Sequence, residues 1–185
     1  MVTYYFDLKV AHEEGGKPDM DTDRIVTISY RPFYDNSGRP KDDLVILKSW
    51  ESSEEEILKE FIEFTGWNED EPDPWRFVPS NFGLAQSLTI LSNRCKALLN
   101  IELDYKFLLN LPKIDLKAFG IIKRKGNFKK TSLPNFSKKL NRAYTIGILI
   151  EEENWEELEG FIRQEASVFL KIYKKLIQKV DSIFP

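Results

Sequence analysis

The sequence predicts an α/β domain: a mixed sheet, three antiparallel strands followed by parallel ones, flanked by helices. Three observations predict it. The first fifty residues carry β-forming residues in three short runs joined by turn-forming links. From Ser52 onward apolar residues recur at helical spacing, and strand-like and helix-like segments then alternate to the end of the chain. At 185 residues, 42% of them apolar and with thirteen Phe, seven Tyr and four Trp, the chain is expected to form one domain over residues 1–185 with a substantial core.

Residues 2–10, Val-Thr-Tyr-Tyr-Phe-Asp-Leu-Lys-Val, read as a strand buried on both faces. A polar link at 11–23 leads to a second strand over Arg24–Pro32. The Asp35-Asn36-Ser37-Gly38 turn then leads to a third over Asp43–Trp50. Two short connections in a row favour an antiparallel meander. Ser52 or Ser53, each followed three residues later by Glu, is a capping signal. Ile57, Leu58, Phe61 and Ile62 form the apolar stripe of the helix it starts, which ends near Gly66. The acidic, proline-containing link 67–74 reads as a loop and Trp75–Pro79 as a short strand. Leu84, Leu88, Leu91, Cys95 and Leu98 mark a second helix, and Ile114–Ile122 is a candidate strand before a basic loop. A long helix closes the chain from Trp155 to Val180, with Leu158, Phe161, Ile162, Val168, Phe169, Ile172 and Leu176 on one face. Right-handed crossovers through the helices would return the later strands parallel to the first.

No apolar run approaches the ~20 residues of a spanning helix, and the start of the chain lacks the basic-then-apolar pattern of a signal peptide. A cytoplasmic protein with no membrane partner is expected. One cysteine, Cys95, excludes a disulfide scaffold, and one histidine, His12, excludes a His-rich metal site. Cys/His and Ser/His/Asp hydrolases are poor candidates for the same reason. His12 reads as a loop residue and Cys95 as a small core group.

The net charge of −3 conceals a segregation. Between Lys113 and Arg142 lie ten basic residues and one acid, so that segment carries +9 and the remainder −12. Acidic blocks fall at Glu54–Glu56, Glu69–Asp73 and Glu151–Glu159. Such a basic stretch, interleaved with Phe128 and Phe136, suits a phosphate backbone with rings to stack on bases. Lys123, Arg124, Lys125, Lys129, Lys130, Lys138, Lys139 and Arg142 are therefore the candidate nucleic-acid contacts. The bland alternative is a solvated loop that balances the acidic surface.

Two acids stand where an apolar group is called for. Glu165 falls within the apolar stripe of the last helix, four residues after Phe161 and four before Phe169, and Asp7 sits inside the most hydrophobic strand. A buried carboxylate costs several kcal/mol unless paired or metal-bound. Lys9, two residues from Asp7 and so on the same strand face, is a candidate partner.

These residues resemble a known family. Tyr5-Phe6-Asp7-Leu8-Lys9 resembles the first motif of the RNase H-like 3′–5′ exonucleases, notably the proofreading domain of B-family DNA polymerases, a hydrophobic strand ending in Asp-x-Glu. Ile46 to Trp50 with Ser53 to Phe61 resembles the family's third strand and first helix. Phe77-Val78-Pro79 with Asn81, then Leu88, Leu91 and Arg94, is similar to the second motif. Ile114-Asp115-Leu116-Lys117 matches a strand that commonly follows, and Phe161-Ile162-Arg163-Gln164-Glu165-Ala166 resembles the third motif, Tyr-x-x-x-Asp-Ala.

The resemblance implies an RNase H-like sheet and a centre in which four acids hold two divalent metals. Carried over by position, Asp7 keeps the first acid and Glu165 replaces the last. Lys9 stands for the second acid, Ser87 for the second-motif Asp and Phe161 for the Tyr that would orient water. Two unit charges about 4 Å apart interact by ~4 kcal/mol at an effective dielectric of about 20, and a divalent ion doubles that. An ammonium at position 9 therefore opposes a nearby Mg²⁺ or Mn²⁺, and metal held by Asp7 and Glu165 alone is expected to be weak or absent. The economical reading is that Lys9 fills the space of a metal and neutralises both acids.

Three functions follow. The first is a single-stranded DNA-binding relative of the exonucleases, with no tightly bound cofactor, serving a replication or repair assembly. The second is a slow Mn²⁺- or Mg²⁺-dependent 3′–5′ exonuclease using Asp7, Glu165 and a further acid drawn from Glu13, Glu14, Asp104 or Asp115. The third is a protein-interaction module acting through the acidic 51–73 region and Trp67 or Trp75. Asn81 is either a nucleotide contact or a turn or cap residue.

Overall fold

The computed structural model describes residues 2–12, 19, 22–123, 125–126, 133 and 145–181. Five strands form one sheet: β1 (Thr3–Ala11), β2 (Arg24–Phe33), β3 (Val45–Lys48), β4 (Val78–Asn81) and β5 (Ile114–Asp115), in the order β3-β2-β1-β4-β5. β1 pairs antiparallel with β2 and parallel with β4; β2 pairs antiparallel with β3, and β4 parallel with β5. Helices flank the sheet: α1 (Glu54–Thr65), α2 (Leu84–Arg94), α3 (Tyr105–Asn110), α4 (Lys117–Lys123), α5 (Thr145–Glu151) and α6 (Trp155–Asp181). This is the α/β mixed sheet expected, antiparallel on one side of β1 and parallel on the other, and it is compatible with an RNase H-like arrangement. Among the described residues no helix is long and apolar enough to cross a membrane.

Strand alternation divides the core into layers. Tyr4, Phe6, Leu8 and Val10 pack toward α1 and α2, where Phe6 stacks on Phe61 at 5.4 Å and Trp67 meets Phe61 edge-on at 5.6 Å. Tyr5 packs on the other side with Phe161, Phe169 and Tyr173 of α6. A register shift between Lys9 and Val10 sets Lys9 opposite Thr27 but Val10 opposite Ile25, which bulges Val26 out of the ladder. Val26 joins Leu149, Leu158 and Ile162 on the α5–α6 side, while Ile25 stays in the α1–α2 layer.

Local chemistry fixes the helix ends. Ser53 is the residue that caps α1, its hydroxyl accepting from the Glu56 amide, and Gly66 ends the helix at φ 70°, a left-handed conformation that disfavours side chains. One carboxylate, Asp115, accepts from the amides of Gly83 and Leu84 at the start of α2 and of Lys117 at the start of α4. Glu54 accepts from the Ile25 amide at 2.7 Å, beside the bulge, and takes a bidentate contact from Arg94 at 2.8 Å on each arm. A single side chain thus ties α1, β2 and α2 together.

Several boundaries differ from the expectations. The fourth strand is Val78–Asn81 rather than Trp75–Pro79, because its pairing begins at Thr3↔Val78. The strand expected over Ile114–Ile122 stops after Asp115. Only Ile114 and Asp115 pair with β4, and the Asp115 cap then starts a helix. A π-helical turn over Cys95–Leu99 follows α2 and advances the phase, leaving Leu98 exposed while Cys95 stays buried. The short helices α3 and α5 have no counterpart in the sequence reading. Trp67, expected as an exposed aromatic, is only 2% exposed, because the left-handed turn at Gly66 folds it back onto Phe61 and Phe77. Trp75 is exposed.

Glu54→Ala leaves the Ile25 amide and the Arg94 guanidinium without their acceptor. It is expected to destabilise the protein by about 3 kcal/mol, the low end for breaking a buried pair, read as a lowered urea midpoint with an unchanged m-value.

Candidate functional site: a buried ammonium between two carboxylates

Alternation along β1 turns Asp7 and Lys9 to the side facing α6, the same side as Tyr5. On α6, Phe161, Glu165 and Phe169 fall one turn apart, so the face that buries two rings also carries Glu165 to the sheet. Lys9 is 7% exposed and Glu165 5%. Lys9 Nζ lies 2.5 Å from Asp7 Oδ2 and is ion-paired with Glu165 Oε2. Asn81, buried at the end of β4, donates from Nδ2 to Asp7 Oδ1 at 2.9 Å and to the Phe6 carbonyl at 2.8 Å. Both Asp7 oxygens are therefore engaged, one by an amide and one by an ammonium. The Phe161 ring centroid lies 5.7 Å from Lys9 Nζ, within cation–π range.

The strand next door adds a polar floor. Thr27 lies opposite Lys9 and Ser29 opposite Asp7, both fully buried. Ser29 Oγ donates to the Asp7 carbonyl at 3.3 Å. The Thr27 hydroxyl has no hydrogen-bond partner among the described residues.

Two carboxylates share one ammonium, and the electrostatics follow from that ratio. Burial alone pulls the Lys9 pKa down, but Asp7 and Glu165 outweigh it and hold the ammonium charged. Burial pushes the Glu165 carboxyl up to about 7; the Lys9 charge opposes that rise and the Asp7 charge reinforces it. The Tyr5 hydroxyl is raised well above its ordinary value, first by burial and then by the same two carboxylates.

This donor set does not fit a divalent-metal pair. Hard cations need several oxygen ligands, and here two carboxylates converge on a fixed positive charge. An ammonium in their midst opposes a dication by several kcal/mol. Among the described residues no group of three or more His, Cys, Asp or Glu side chains is placed to hold a metal ion.

The structure brings together Asp7, Lys9, Asn81, Phe161 and Glu165. Ser87, half-buried on α2, contributes no hydrogen bond to the cluster. The reserve acids are engaged elsewhere: Asp104 caps α3 by accepting from the Lys106 amide, and Asp115 caps α2 and α4. Asn81, a candidate nucleotide contact in sequence, has its amide turned inward to Asp7. Glu13, Glu14, Arg124, Lys129, Lys130, Lys138, Lys139 and Arg142 lie outside the described residues. Lys123 and Lys125 are exposed at and just past the end of α4.

Sequence reasoning missed a second run of positive charge. Lys171, Lys174, Lys175 and Lys179 are all exposed on the last turns of α6. The signal of that run in the sequence is four lysines in nine residues with no acid among them, beyond the basic 113–142 segment. His12 Nδ1 lies 2.8 Å from Asp23 Oδ2, whose residue is buried. The Cys95 thiol is pushed up to about 12, chiefly by burial, which makes it a core group rather than a nucleophile. Neither a protein-family model nor a curated relative matches this chain.

Lys9→Ala leaves the buried Glu165 and the half-buried Asp7 carboxylates without a counter-charge and is expected to cost about 3 kcal/mol at neutral pH. The triple variant Asp7→Asn, Lys9→Met, Glu165→Gln removes the charges together and is expected to lose far less; paired urea titrations at pH 7 compare them. The Glu165 shift carries its own sign. A carboxyl raised from 4.5 to about 7 on folding binds its proton more tightly in the native state, so its contribution to stability falls as pH rises through that window. The stability of wild type relative to Glu165→Gln is expected to decline between pH 4.5 and 7, measured by thermal melts of both proteins across that range.

Proposed function

We propose that this chain is a single-stranded nucleic-acid-binding protein on an exonuclease-type scaffold, its metal-binding acids converted into an internal salt bridge. The observation that supports it is the position of Lys9. Its ammonium stands between Asp7 and Glu165, the two acids that match the resembled motifs, on the central strand. A site of that composition stabilises a fold and leaves little for hydrolysis. What remains for function is positive charge: the 113–142 segment is basic in sequence, Lys123 and Lys125 of it stand exposed, and so do the lysines at the end of α6. Such a surface attracts a phosphate backbone by counterion release without reading sequence. A replication or repair assembly in the cytoplasm is the setting this reading implies.

The slow-nuclease reading needs a third acid near Asp7, and Asp104 and Asp115 are both occupied as helix caps. The interaction-module reading has a cavity of about 420 Å³ beside the acidic loop, bordered by Glu69, Asp70, Glu102 and Asp104.

Anisotropy of a labelled oligothymidylate is expected to show binding that weakens steeply with salt, with a slope of about −0.7 per phosphate contacted. Reversing Lys123, Arg124, Lys129 and Lys130 to Glu is expected to weaken it at least about tenfold. The strand is expected to stay intact in the presence of Mn²⁺; digestion abolished by Asp7→Ala would replace this reading with the nuclease one.

A further inference from the structure

We propose that the groove between α4 and α6 receives an unstacked base of a bound single strand, with the adjoining phosphates on Lys175 and Lys179. The inference rests on the nucleic-acid reading above and adds where and how a base is held. The groove has a volume of about 370 Å³, in the range of small-molecule sites and ample for one base. Its floor is apolar, built from Phe82, Ile172 and Leu176, and one wall is Phe119 with Ile122.

Those wall residues are costly to leave in water. Phe119 is 41% exposed and Ile122 74%, on a helix of only seven residues. An open apolar trough with an aromatic plate suits a flat π-face, and stacking of this kind tolerates any base.

Charge decides the class of occupant. Lys123, Lys175 and Lys179 also line the groove, and none of the described residues lining it is acidic. Lys175 and Lys179 are four residues apart on α6, hence on one face and about 6 Å apart along the axis. That spacing suits successive phosphates of an extended strand. On the far side of Leu176 a second cavity, of about 380 Å³, shares Phe119 but has Asp35 and Asn36 at its edge. A carboxylate there repels a polyanion, so the strand is directed to the lysine-lined groove.

The test uses the full chain and two labelled strands of equal length, one oligothymidylate and one with abasic sites through its centre. Wild type is expected to bind the first at least about tenfold more tightly than the second. Phe119→Ala is expected to erase that ratio, and Phe119→Trp to restore it. Lys175→Glu with Lys179→Glu is expected to weaken both strands alike and to lower the salt slope by about two phosphates' worth. Strand binding in which Phe119→Ala keeps the tenfold preference overturns the groove proposal and leaves the wider reading standing. Strand binding by wild type that the paired lysine reversal does not change also overturns the groove alone. Failure of wild type to bind either strand overturns both. Capture of an acidic helical peptide in the groove, lost in Phe119→Ala and without competition from the strand, also overturns it.

Discussion

An ammonium in the middle of a sheet is tolerable only where anions meet it, and here the geometry of three elements makes that possible. β1 places Asp7 and Lys9 two residues apart on one face, α6 carries Glu165 down onto them, and β4 ends with Asn81 beside Asp7. None of these groups could be buried alone without a penalty of several kcal/mol. Together they fix the separation of α6 from the sheet and the height at which β4 ends. Burial drives the Glu165 carboxyl upward and the Asp7 charge adds to it, which makes the cluster sensitive to proton concentration in the near-neutral range.

The same economy of charge recurs at the periphery. Glu54 and Asp115 are single carboxylates that each satisfy several amides or a guanidinium at places where the chain changes element. In sequence Asp115 is a reserve candidate for a metal ligand, but the environments of both acids differ in kind from the centre. They accept from backbone N–H groups at helix starts and at the bulge, and those groups need an acceptor whatever the function of the chain.

What could be read in the sequence was what periodicity and burial cost dictate. The α/β class, the central place of the first strand and the burial of Glu165 all follow from side-chain spacing, and the Asp7–Lys9 pairing follows from their two-residue separation. What could not be read depended on longer-range geometry. The two-residue β5 is set by where β4 runs out, Leu98 is turned outward by one extra residue in a helical turn, and Trp67 is buried by a left-handed glycine immediately before it. Asn81 reads alike in sequence as a nucleotide contact or as a turn or cap residue, and its inward bond to Asp7 depends on β1 lying beside β4. The lysines of α6 lie on a helix whose sequence pattern is dominated by its apolar stripe.

The bulge beside Lys9 redistributes two apolar side chains between the layers. Strict alternation would send Val26 to the α1–α2 layer; the extra residue instead turns it toward α5, among Leu149, Leu158 and Ile162. Ile25, which strict alternation would place on the α5–α6 side, stays in the other layer, where its amide meets Glu54. A single irregularity in a hairpin ladder therefore decides which apolar side chain each layer receives, and sets the Ile25 amide against the carboxylate that also holds Arg94.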